Sequence, residues 1–176
     1  MSDDESNSKT ITICGQSNRY AVKRACLVPR DELRTTCYPV VSHFEQRCSI
    51  NRIFVEDMFD LSEIYVAEIR KKISGYIQQD KRKNIFDELN IITNEQCLEK
   101  LVISKLLCHY CKSNIVVLYN SVREKRQWTL DRINNDIGHT FENVIISCLE
   151  CNLRRRRTDI KKFEFTKSLK ILKNTD

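Results

Sequence analysis

Two Cys-x-x-Cys pairs stand 36 residues apart in this 176-residue chain: Cys108-His109-Tyr110-Cys111 and Cys148-Leu149-Glu150-Cys151. Each pair turns two sulfurs toward one point, and two pairs complete a closed tetrahedral shell of four thiolates. That donor set belongs to a structural zinc and leaves no position for a substrate. His109, inside the first pair, is expected to be a bystander. Between and just after the pairs lies a second set: Asp131, Arg132, His139, Asn143 and Asn152. Asp131, on a predicted strand, offers a carboxylate oxygen, and Asn152, in the first turn of a predicted helix, an amide oxygen. Packed together they could share one Mg²⁺ or Mn²⁺ ion of the kind that holds a scissile phosphate and stabilises its leaving oxygen. Taken singly, Asp131 could instead pair with a neighbouring cation and Asn152 cap its helix.

A basic run follows. Arg154, Arg155, Arg156 and Arg157 are consecutive, and Lys161 and Lys162 come a turn later. Four consecutive residues span more than one helical turn, so they face several directions. Those beside Asn152 are expected to contact phosphates and the others to be solvated. The distribution of charge supports this: the net charge is +6, yet residues 1–104 carry 15 basic against 16 acidic side chains. Residues 105–176 carry 15 against 8, so the whole positive excess accompanies the cysteine pairs. A basic, metal-stapled half calls for a polyanionic partner, most simply nucleic acid.

The elements that must position these residues follow from periodicity. Residues 1–9 read as a disordered tail, Thr10–Ile13 and Arg52–Val55 as short strands. From Leu61 apolar residues recur at helical spacing, with Ser62 as cap and Arg70-Lys71-Lys72 on the exposed side. Thr93 and Gln96 fit a capping box that opens a helix running into Cys108. Ile115–Tyr119, Trp128–Ile133 and Asn143–Ser147 read as strands, residues 134–138 as a loop, and a last helix begins near Asn152. Phe163, Phe165, Leu169 and Leu172 are expected to pack against the domain. Only 3 Gly and 2 Pro argue for a helix-rich chain.

Residues 128–135, Gly138-His139-Thr140, Glu142-Asn143-Val144 and Cys148-x-x-Cys151-Asn152 together resemble the HNH endonuclease motif. The likeness is to its zinc-stapled versions of the kind found in phages and large DNA viruses, and it spans roughly residues 93–165. The resemblance implies an α+β chain whose C-terminal part, residues 91–176, is a ββα-metal domain with a four-cysteine zinc site and metal-dependent hydrolysis of DNA phosphodiesters. By position, Asp131 and Asn152 are the catalytic metal ligands and Asn143 braces the loop between the strands. One residue departs from the pattern. Where the family usually has a general-base histidine directly after the aspartate, this chain has Arg132, which stays protonated and cannot be that base. Arg132 could bind the phosphate instead. His139 could serve as base, hold the loop or bind phosphate; water on the metal could also act without a side-chain base.

Residues 10–90 are expected to form a mainly helical helper region, with a boundary near 80–92. No apolar run reaches the length of a membrane span, and the acidic N-terminus is unlike a secretion signal. The nine cysteines therefore point to a reducing intracellular compartment, with Cys14, Cys26, Cys37, Cys48 and Cys97 expected as buried free thiols. Two further function classes fit the same residues: a zinc-stabilised DNA-binding module without cleavage, and a zinc ribbon for protein interaction.

Overall fold

The computed structural model describes residues 14–19, 22 and 37–169. The expected tail, the strand over 10–13, Cys26 and Leu172 lie outside the described residues. The described residues fall into two units, one within residues 1–31 and a second within residues 32–176. The second is α+β, in the order α1 (His43–Phe54), α2 (Ser62–Arg82), α3 (Asn94–Ile103), β1 (Trp128–Arg132), β2 (Val144–Cys148), α4 (Leu149–Arg155) and α5 (Ile160–Ser168).

Helix α1 replaces the strand expected over Arg52–Val55. Ser42 accepts from the Glu45 N–H while Glu45 reaches back to the Ser42 N–H, a complete capping box upstream of that stretch. Gln46, Ile50 and Ile53 then fall on one buried face. Helix α2 begins one residue earlier than expected, with Leu61 in the cap position; the Ser62 hydroxyl instead accepts from the Phe59 N–H at 2.7 Å. The capping box at Thr93 and Gln96 opens α3. That helix stops at Ile103, short of Cys108, because Lys105 and Leu106 both adopt left-handed φ angles, 53° and 52°.

Strands β1 and β2 form a two-stranded antiparallel sheet, Trp128 opposite Cys148 and Arg132 opposite Val144. Residues 115–119 do not join it. Single bridges tie Leu107 to Asn114 and Val116 to Gln127. The N–H groups of Val117 and Leu118 go instead to the buried Gln46 Oε1 on α1, at 2.8 and 3.0 Å. A side-chain amide thus takes the place of a neighbouring strand, which meets the demand of buried backbone donors for partners.

The free edge of β1 meets α2. Lys72 donates to the Trp128 carbonyl, Tyr76 Oη accepts from the Leu130 N–H at 3.0 Å, and Asp80 lies 3.7 Å from the Arg132 guanidinium. Residues 72, 76 and 80 advance about 6 Å per step on a helix, and 128, 130 and 132 about 6.8 Å per step on a strand, so the two rows stay nearly in register. Lys72 was expected on the exposed face. It turns inward because β1 offers it a carbonyl and the Trp128 ring, 4.7 Å away. Phe163 on α5 is buried, but Phe165 and Leu169, expected to pack, are exposed; of the thiols expected to be buried, Cys97 is, while Cys14 and Cys37 are exposed. No helix among the described residues is long and apolar enough to cross a membrane.

Candidate active site and metal centre

The four sulfurs of Cys108, Cys111, Cys148 and Cys151 lie within 4.8 Å of one another. A tetrahedral zinc with bonds near 2.3 Å would space them by about 3.8 Å, so the cluster fits such an ion. Its walls come from a turn that precedes the hairpin and from the junction that follows it. The first pair sits in a turn closed by left-handed Lys112 (φ 56°), whose N–H returns to the Cys108 carbonyl at 3.0 Å. The second pair straddles the β2–α4 junction, where the Cys148 sulfur accepts from the Cys151 N–H at 3.4 Å and so caps the helix. The His109 N–H donates to the Ile146 carbonyl at 2.9 Å, docking the first turn on β2. Hydrogen bonding from Cys148 pushes Cys108 down to about 4, and burial among the other sulfurs pushes Cys151 up to about 12. One negative charge is easily held there, and more require a cation. The cluster can hold a metal ion such as zinc. His109 takes no part in it and pairs with Glu164 at 2.5 Å.

At the other end of the hairpin is a cavity of about 550 Å³. It brings Asp131, Arg132, His139 and Asn152 to one opening, with Lys83 just past α2 and Arg156 and Arg157 beyond α4. Asn143 is set back from it. Its Oδ1 accepts from the Asn134 N–H, and its Nδ2 donates to the carbonyls of Asn134, Ile137 and Gly138 at 2.9–3.2 Å, so it holds the loop closed. The Asn152 Nδ2 donates to Thr129 Oγ1 at 3.1 Å and lies 3.5 Å from the Leu130 carbonyl. The amide nitrogen is therefore turned into the sheet, which leaves Oδ1 as the group for a ligand.

Asp131 is buried and engaged twice. Tyr110 Oη donates to Oδ2 at 2.6 Å and Arg155 Nη1 to Oδ1 at 2.7 Å. Arg155 also donates to the carbonyls of Arg132 and Ile133, at 2.7 and 2.8 Å. Burial pushes the Asp131 carboxyl above its ordinary value, with Tyr110 and Arg155 acting in the opposite direction. Each carboxylate oxygen has two acceptor directions. Asp131 thus keeps acceptor directions beyond its two hydrogen bonds.

The basic run divides. Arg154, Arg156, Arg157, Lys161 and Lys162 are exposed, and Arg154 lies 3.7 Å from Glu150. Arg155, expected among the phosphate contacts, is 1% exposed and holds Asp131. The reason was present in the sequence: Arg155 stands four residues after Cys151, and a cysteine facing the metal carries the next turn of its helix inward. By the same spacing Arg156 shares the cavity face with Asn152. Arg132 is also buried, 3.3 Å from the Ile137 carbonyl and beside Asp80.

Sequence reasoning missed Asp80, Tyr76, Lys83 and Tyr110. The first two belong to the Lys72, Tyr76, Asp80 stripe at intervals of four; Tyr110 lies inside the first cysteine pair. No protein-family model matches the chain, and no curated protein or solved structure does so either.

Proposed function

We propose that the protein is a metal-dependent endonuclease of HNH type that hydrolyses DNA phosphodiesters, with one structural zinc. The observation that carries this is the cavity, where a carboxylate, an amide oxygen and a cationic rim converge. Lys83, Arg132, Arg156 and Arg157 border it against Asp131 and Asp136, and Arg155 already neutralises Asp131. Such a rim attracts a phosphate backbone. Asp131 and Asn152 would hold Mg²⁺ or Mn²⁺, which supplies charge for the phosphate and its leaving oxygen. Tyr110 and Arg155 orient Asp131, Thr129 orients Asn152, and Arg156 and Arg157 grip the flanking backbone. The four cysteines hold the hairpin and helix that carry these groups.

A second reading is a zinc-stabilised DNA-binding module without cleavage. Its support is the Arg155–Asp131 ion pair together with Arg132 in the position of the usual histidine. Supercoiled plasmid incubated with protein and Mg²⁺ or Mn²⁺ separates the two. The first reading expects nicking that falls at least a hundredfold in Asn152→Ala and Asp131→Ala. Binding without nicking under any divalent metal selects the second. In both, replacing Arg156 and Arg157 with alanine should flatten the salt dependence of DNA affinity by about two units of log–log slope. An unchanged slope would contradict both.

A further inference from the structure

Asp80 is fully buried in the last turn of α2, and its carboxylate gathers donors from two directions. The His139 backbone N–H donates to Oδ2 at 2.7 Å, and the His139 ring Nδ1 lies 2.8 and 2.9 Å from the two oxygens. The Arg132 guanidinium stands 3.7 Å away. A buried carboxylate needs its charge met. Arg132 is that countercharge, so the imidazole can stay neutral. With Nδ1 facing a carboxylate, the proton sits on Nδ1 and Nε2 keeps its lone pair. Tyr76 stacks on the ring at 4.5 Å between centroids and fixes its plane. Gly138 allows the approach: a Cβ there would lie 2.6 Å from the Ile85 carbonyl oxygen and 3.0 Å from Asp80 Oδ2. His139 borders the same cavity as Asp131 and Asn152.

We infer that Asp80 and His139 form a general-base pair, α2 supplying the carboxylate and the inter-strand loop the imidazole that deprotonates the water attacking a DNA phosphodiester. The inference rests on the nuclease reading above. His139 Nε2 takes one proton from that water, whose oxygen bonds to phosphorus. The bond from phosphorus to the leaving nucleotide oxygen breaks, and that oxygen takes a proton from solvent. The imidazolium formed is countered by Asp80. Asp80 touches no substrate and is a positioning residue. The arginine that replaces the family's histidine thus has a purpose in this chain: it satisfies Asp80, so that a histidine from the loop can be the base. The charged groups facing the ring are Asp80 from α2, Lys83 just past its end and Arg132 from β1. Burial, with Arg132 and Lys83, holds the ring below its ordinary value against the pull of Asp80.

The test combines cleavage with a measurement that needs no turnover. In the zinc-loaded full chain, ¹⁵N ring spectra of the three histidines, assigned with His139→Gln, should show His139 as the Nδ1–H tautomer protonating below pH 6.5, the ordinary histidine value. Plasmid nicking by the wild type should rise tenfold per pH unit up to that midpoint and then level. His139→Gln should remove this limb and lower the plateau by about 10²–10⁴-fold. Asp80→Asn should lower the plateau and shift the ring toward the Nε2–H tautomer. An Nε2–H ring in the wild type overturns the inference, as does a His139→Gln protein that cuts with the wild-type rate and pH profile. A wild type that never cuts removes the nuclease reading and the inference with it.

Discussion

The two ends of the β1–β2 hairpin are held by different chemistry. At the Trp128–Cys148 end, four sulfurs from two short turns close on one point, and every donor comes from residues 108–151. At the Arg132–Val144 end, charges do the holding: Asp131 with Arg155 and Tyr110, and Asp80 with His139 and Arg132. The four sulfurs would complete a metal's tetrahedral shell and leave no position on it for a ligand. The charged end opens on the cavity, and one of its anchors, Asp80, lies 59 residues from His139. Tyr110 joins the two, since it sits between Cys108 and Cys111 and donates to Asp131. One end therefore sets the geometry on which the other depends.

Removing the metal should break the comparison most severely. Apparent zinc binding free energies in small domains run to about 10–16 kcal/mol and act as folding energy. Chelation, or Cys148→Ser, should abolish the cooperative thermal transition of the hairpin region and release Asp131 from Tyr110. Zinc content and near-ultraviolet dichroism, followed together, check this; a native melt at zero zinc would contradict it.

Arg155→Met should weaken the charged end alone. It leaves a buried carboxylate without its cation, which costs about 3–5 kcal/mol. For a domain of this size that is a fall of roughly 10 °C in Tm. Zinc stoichiometry should stay at one per chain. A solvated arginine would give less than about 0.5 kcal/mol, so a change that small would show that the ion pair does not hold the end of β1.

The smallest effect concerns pH. In the unfolded chain His139 protonates at its ordinary value, and in the fold burial holds it lower. The unfolded state therefore takes up that proton first, and stability falls as pH drops from about 6.5 through the lower folded value. Above that ordinary value the contribution of the neutral ring is complete. Urea titrations from about pH 7.5 to 5, with zinc saturating, should give a shallower loss for His139→Gln than for the wild type. Equal slopes would remove His139 as the titrating group.

These effects follow what was and was not legible in the chain. The sulfur end could be read because its ligands are local and regularly spaced. The capping box at Thr93 and the pairing of residues 128–132 with 144–148 were legible for the same reason. The strand expected over 52–55 was overridden by a capping box ten residues upstream, and the strand over 115–119 by the Gln46 side chain. Local β-propensity was present in both, but residues outside each stretch decided the backbone's bonds. At the charged end, Asp80 reads in isolation as one more polar residue near a helix end. Only the packing of α2 along β1 makes it a partner of His139. Arg155 was hidden by its neighbours, since a run of four arginines looks solvated until Cys151 fixes which face is inside.

The proposed nuclease function places a divalent cation between Asp131 and Asn152 at the charged end and zinc among the four sulfurs. Anomalous scattering from crystals grown with Mn²⁺ and zinc measures both at once. The account predicts a zinc peak within bonding distance of all four cysteine sulfurs. It also predicts a manganese peak in the cavity, about 2.0–2.6 Å from a carboxylate oxygen of Asp131 and from Asn152 Oδ1. A filled zinc site beside a cavity without manganese, with Arg155 unmoved on Asp131, would contradict it.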